Sequence, residues 1–260
     1  MREQIYRELA KIDKKEQRLF RANDFVDWRI LTKKLEAKIP PGFHEKLNTI
    51  FYQGFKLVLR NGVGVIEKTY DKGKSQAEYD VNNYAFTNLG NKQGVRRLVR
   101  TAHKKHLTNL GLAAGEGSVL GLLGIGLPDI PIFLGVLLKS VYETALSFGF
   151  DYESEAEKYY ILLLIQGALG NGAKKQRLNG SIDQVAAQLD KHAPVTYDFD
   201  LETRITADAL ATDLLVLKFV QGLPLIGVVG GVTNVVYCNK VTEYAKLKYK
   251  KRYLLKKLAP

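Results

Sequence analysis

The sequence predicts an all-α fold: a compact multi-helix domain with two apolar helical hairpins broken by glycine and proline. Three observations carry that expectation. Apolar residues recur three to four positions apart along most of the chain. No alternating run of β-branched residues is long enough to supply several strands. Pro40-Pro41-Gly42, Leu127-Pro128-Asp129-Ile130-Pro131 and Gly222-Leu223-Pro224 punctuate the periodic segments, and proline ends or kinks a helix because it lacks the amide donor. The chain thereby divides into an N-terminal amphipathic helical region, 1–40, and a helical domain, 41–260, with a polar connection at about 70–91.

Taken in order, Ile5, Leu9, Ile12 and Leu19 begin the first apolar stripe, and Phe25, Trp28, Leu31 and Leu35 continue it to the double proline. A second amphipathic helix is expected from about Phe43 to Arg60. The stretch Tyr70 to Asn91 is polar and reads as a connection. Lys92, Arg96, Arg97, Arg100, Lys104 and Lys105 then form a basic run without an acidic residue. It leads into Leu107 to Leu138, where only Glu116 and Asp129 are charged. The helix after Pro131 is expected to end at Gly149, a candidate C-cap, and Ser154-Glu155-Ala156-Glu157 has the spacing of a capping box for the next helix. A further helix is expected over Thr203 to Val220. After the uncharged Gly222 to Gly231 comes a last helix ending in Lys246, Lys248, Lys250, Lys251, Arg252, Lys256 and Lys257.

Composition narrows the function. The 260 residues carry 39 Lys+Arg against 27 Asp+Glu, a formal charge of +12, with 46% hydrophobic residues. That much apolar content excludes a disordered chain. The single cysteine, Cys238, excludes an intramolecular disulfide framework, and the charged N-terminal residues contain no secretory apolar region. A cytoplasmic protein with a polyanionic partner is the expectation, the partner being an anionic membrane surface or nucleic acid.

Gly111, Gly115 and Gly121, and later Gly227 and Gly230, fall at spacings that let helix backbones approach closely, in a soluble core or in lipid. Pro128 and Pro131 in the first hairpin, and Pro224 in the second, leave apolar pieces of about 10 to 12 residues, too short for a span of roughly 20. Arg96, Arg97, Arg100, Lys104, Lys105, Lys246, Lys248, Lys250, Lys251 and Arg252 are the candidate anion-binding residues, because basic clusters beside apolar helices suit anionic lipid. Tyr244, Tyr249 and Tyr253 among the lysines keep nucleic acid open. No phosphate loop, zinc motif or nucleophile elbow occurs, and neither a metal nor a cofactor is expected. His103 and His106 read as a surface pair. Asp129 reads as a helix N-cap, with an acid–base role as the alternative.

Three segments together carry a resemblance. Gly121-Leu-Leu-Gly124-Ile-Gly126-Leu-Pro128-Asp129-Ile-Pro131 is followed by Tyr142-Glu-Thr-Ala145-Leu-Ser-Phe-Gly149-Phe-Asp151, and later by Leu223-Pro224-Leu-Ile-Gly227-Val-Val-Gly230-Gly-Val-Thr-Asn234. In this order and separation they resemble the EcsC protein family, over about residues 30 to 255. Leu127 departs from the small residue common before the proline. The resemblance implies a bacterial cytoplasmic or peripheral-membrane protein, named from a gene beside an ABC exporter, and brings no catalytic residues.

The leading expectation is a membrane-associated, non-catalytic helical protein. It would bind anionic lipid, or a membrane protein such as an ABC exporter, at the inner face of the plasma membrane. One alternative is a hydrolase or lipid-modifying enzyme working through Asp129, with Glu116 or His103. Another is nucleic-acid binding through the basic C-terminal helix.

Overall fold

The computed structural model describes residues 2–21, 39–62, 66, 70–89, 96–105, 129–221 and 231–259, and every regular element among them is helical. In chain order these are α1 (Arg2–Arg21), α2 (Phe43–Leu57), which continues into one wide π-turn at Val58–Gly62, α3 (Lys72–Leu89) and α4 (96–105). Then come α5 (Asp129–Ser147), α6 (Glu155–Leu169), α7 (Gly172–Asp190), α8 (Phe199–Gln221) and α9 (Gly231–Leu258). The glycines expected to mediate packing (Gly111, Gly115, Gly121, Gly227 and Gly230) lie outside the described residues, as do His106 and Glu116. Asp129 opens α5, but its side chain is likewise outside what is described.

The expected capping chemistry is present at both predicted positions. The Ser154 hydroxyl accepts from the Glu157 amide at 3.1 Å, giving α6 its first turn. At the end of α5, Gly149 takes a φ of 77°, the Phe150 amide reaches back to the Ala145 carbonyl and the Gly149 amide to Leu146, a Schellman closure.

One expectation is corrected. Residues 72–89 are a helix rather than a connection. The Asp71 carboxylate caps it by accepting from the Lys74 amide at 2.8 Å, while Ser75 and Phe86 are buried against its neighbours. Tyr253 of α9 donates to Asn83 and packs its ring near Phe86, so distant partners stabilise a segment with little apolar periodicity of its own.

At the centre sits α6, whose residues Tyr160 to Leu169 are all buried. A helix apolar on every side must be surrounded, and α7, α8 and α9 pack around it. Gly167 lets them close in, because a methyl group there would meet Ile182 at 2.6 Å and Tyr244 at 2.8 Å. Gly54 does the same between α2 and α5, where Leu134 would lie at 2.9 Å. Close helix approach over glycine is therefore a property of this core, at positions the sequence reading did not select.

Helix α5 packs against α2, α3 and α9. Its segment Ile130–Ser147 has the length and apolarity to cross a bilayer, yet 83% of it is buried inside the fold, so its apolar surface is used in protein packing. The buried hydroxyls of Ser140, Thr144 and Ser147 bond to carbonyls one turn back, at 3.0, 2.7 and 2.7 Å, and so need no partner from another helix.

The first and last helices lie together. Ile5 and Ile12 of α1 are buried against α9 and α7. Glu16 continues that stripe at helical spacing, and its charge is met by lysines of α9.

Candidate functional site

The sequence reading treats the lysines and arginines of the last helix as an outward basic face. The structure corrects this for Lys246, Lys248 and Arg252, which are buried. Lys248 sits between Glu16 and Asp183, 2.7 Å from each. Its neighbour Lys251 reaches the same two carboxylates at 3.1 and 2.8 Å. Arg252 donates to Glu157 at 2.6 Å and to Asp190 at 2.8 Å, with its guanidinium 4.3 Å from the Phe150 ring centre and 4.6 Å from that of Tyr160. Burial opposes the Arg252 charge, but Glu157 and the other surrounding acceptors outweigh it and hold the group firmly protonated. Lys246 bonds to Glu243 at 2.7 Å. A helix that spends its cations on internal carboxylates offers no continuous face to nucleic acid. The tyrosines among them, Tyr244, Tyr249 and Tyr253, are buried too. The reason is geometric. Helix α9 is 28 residues long and lies against α1, α5, α6 and α7, so most of its circumference faces protein, and Lys246, Lys248, Lys251 and Arg252 meet carboxylates there.

The other basic cluster behaves differently. In α4, Leu98 and Ala102 are buried, which fixes the helix's inner face. Lys105 turns inward with them and is held by Ser75 at 2.8 Å and Glu78 at 3.3 Å. Arg96, Arg100 and His103 share another face at spacings of four and three, and that face looks across a groove at α1. Arg97 and Lys104 are exposed but do not line it.

This groove, of about 810 Å³, is the candidate site. Arg7, Lys11 and Lys14 line it from α1, Arg96 and Arg100 from α4, and Lys250 reaches it from α9. Glu8 is the one carboxylate among its described lining residues, and it bridges Lys11 at 2.5 Å and Lys250 at 2.6 Å. Burial raises the Glu8 pKa, but the hydrogen bonds and charges of those two lysines prevail and hold it below the usual glutamate range. Among the described residues no carboxylate pairs with Arg96, Arg100 or Lys14. The lining thus carries several cations beyond what its own acid neutralises, in a concavity where low-dielectric walls concentrate the field.

Of the ten basic residues singled out in the sequence, the structure brings Arg96, Arg100 and Lys250 to one site. Sequence reasoning missed Arg7, Lys11 and Lys14. Their signal was present, since positions 7, 11 and 14 repeat the spacing of Ile5, Leu9 and Ile12 two residues on and therefore mark a second, basic stripe of α1. What the spacing could not show is that α4 lies opposite it.

A smaller cleft of about 320 Å³ lies where α6, α7 and α8 meet, lined by Asp208, Thr212 and Asp213 among others. Its acids have partners: Asp208 is 3.5 Å from His44, and Asp213 is 3.0 Å from Lys240. No group of three or more His, Cys, Asp or Glu able to hold a metal occurs among the described residues.

Comparison with known proteins gives a family and little chemistry. The family model described as the EcsC protein family matches residues 3–254. Protein EcsC of Bacillus subtilis (strain 168) is 22% identical over 216 residues, covering 83% of this chain and 82% of that protein. An uncharacterized protein of the same organism, YdbA, is 26% identical over 164 residues, 59% of this chain and 56% of its own length. No solved structure matches the chain significantly.

Proposed function

Since the chain belongs to the EcsC protein family along nearly its whole length, a family whose role is uncertain, we propose that it is a peripheral, non-catalytic protein that binds an anionic membrane surface through the groove between α1 and α4. In this reading it works at the inner face of the plasma membrane, where a membrane protein such as an exporter would be its neighbour. One observation carries the proposal: six cations from three separate helices converge on a concavity in which Glu8 is the one carboxylate among the described lining residues, with Arg7 also held by Glu3 at 2.5 Å. Each Lys or Arg near an anionic leaflet contributes about 1 kcal/mol, so such a cluster is enough for reversible association. The sequence supports this placement, because the nearly uncharged stretch 107–138 begins two residues after α4 ends.

Vesicle flotation tests it. Arg96→Gln with Arg100→Gln removes two exposed cations from the groove and is expected to weaken partitioning onto anionic vesicles by about 2 kcal/mol, roughly 30-fold. Lys46→Gln with Lys74→Gln removes the same charge from exposed positions outside the groove. This control is expected to change partitioning much less. Equal losses in the two double variants would mean that net charge rather than the groove drives binding. No partitioning of the unaltered protein at low salt would end the proposal.

A further inference from the structure

The Glu8 carboxylate lines the groove among its cations. It is three-quarters or more withdrawn from solvent and accepts from Lys11 on one oxygen and from Lys250 on the other, 2.5 and 2.6 Å away. Nearby Arg96 and Arg100 stand one helical turn apart, with no carboxylate partner among the described residues. Guanidinium groups present planar forks that match phosphate oxygens two at a time. A volume of about 810 Å³ is the size of a small-ligand pocket rather than of a flat contact.

We infer that this groove selects a phosphate monoester in a lipid headgroup, and that Glu8 is the internal competitor that any anion must displace from Lys11 and Lys250. The inference rests on the membrane-surface reading above. A phosphodiester headgroup carries one negative charge. If it displaces Glu8 from Lys11 and Lys250, one monoanion replaces another, and the exchange gains little. A phosphate monoester carries about 1.5 to 2 charges near neutral pH and has more oxygens to share among the lysines and the two arginines. It therefore gains from the same exchange, while the released Glu8 carboxylate turns to water. The competitor thus costs both ligands the same and leaves only the dianion a clear surplus.

The test uses the full chain and zwitterionic vesicles doped with either phosphatidate or phosphatidylglycerol, matched in total surface charge. The unaltered protein is expected to prefer phosphatidate several-fold. Glu8→Gln removes the competitor, so binding to both kinds of vesicle is expected to tighten several-fold while the preference for phosphatidate is kept. Glu45→Gln removes the same charge from an exposed position of α2 outside the groove lining and is expected to tighten binding much less than Glu8→Gln. Glu8→Asp keeps the charge but draws the carboxylate back by one methylene, and is expected to tighten binding to both vesicles less than Glu8→Gln does. Soluble glycerol phosphate at concentrations that leave vesicle binding intact marks the bilayer headgroup as the source. Full release by it would overturn that assignment in favour of a free phosphate ester. No preference at matched charge, or binding that Glu8→Gln does not tighten beyond the exposed control, would overturn the inference while the surface reading stands. Failure to bind either vesicle would overturn the surface reading itself.

Discussion

The Glu16 carboxylate receives the Lys248 ammonium at 2.7 Å across 232 positions of sequence, and both side chains are withdrawn from solvent. Breaking such a pair leaves a buried charge short of partners, which costs about 3–5 kcal/mol. Asp183 remains with Lys248 when Glu16 is lost, so Glu16→Ala is expected at the low end, about 3 kcal/mol. Removing both charges leaves Asp183 with Lys251, and the double variant Glu16→Leu/Lys248→Met is expected to lose clearly less than the two single variants added together. Urea titration of the four proteins measures this coupling. Strict additivity would show that the two groups do not stabilise each other.

Gly149 is a second place where stability is concentrated. Its φ of 77° disfavours any side chain, and a methyl group would run into the Tyr79 ring. Gly149→Ala is expected to cost about 1–2 kcal/mol for the backbone alone, with more from displacing Tyr79. Gly180 is the opposite case, exposed in α7 with nothing within 4 Å of the place a methyl group would take. Gly180→Ala is expected to raise stability by up to about 1 kcal/mol, because alanine loses less conformational freedom in a helix. Thermal midpoints that move in the same direction for both variants would contradict this reading.

Lys175 gives a pH-dependent prediction. Burial and the like charge of Lys240 push its pKa down to about 8 from 10.5, with Asp213 opposing. The first turn of a helix also disfavours a cation, and Lys175 lies in the first turn of α7. Between about pH 8 and 10.5 the unfolded chain binds the proton that the folded protein has released, so stability contributed by this group rises with pH through that window. Below pH 8 the cost of burying the charge is present in full. Lys175→Met is therefore expected to melt above the unaltered protein at pH 7, with the difference shrinking by pH 10. A difference that stays constant across that range would remove Lys175 as the cause.

Much of the architecture was legible where a local rule sufficed. The stripe from Ile5 to Leu19, the Ser154 capping box and the Gly149 closure each depend on neighbours within about one or two turns. Helix α3 was not legible, because its periodicity is weak and its stability comes from Asn83 meeting Tyr253 and Ser75 meeting Lys105. The last helix misled for a related reason. A row of lysines looks the same in sequence whether it meets water or Glu16, Asp183 and Glu157. Only the approach of α1, α6 and α7 decides between them. The groove lay between these cases. Arg96 and Arg100 were picked out from their charge, whereas Arg7, Lys11 and Lys14 became meaningful only once α4 stood across from them.

The pairing of α1 with α9 also sets an order of events during synthesis. The first helix leaves the ribosome with Ile5, Ile12 and Glu16 lacking the surface that buries them. Its partner lysines arrive 232 residues later for Glu16 and Lys248, an interval of roughly 10–50 s at ordinary elongation rates. Until α7 and then α9 have been made, the amphipathic, basic α1 segment lacks part of the surface that buries its apolar stripe. Such a helix is suited to wait on a chaperone or on a lipid surface. Helix α1 is thus made before α9 but placed only with it, so the pairing of the two is a late step of folding.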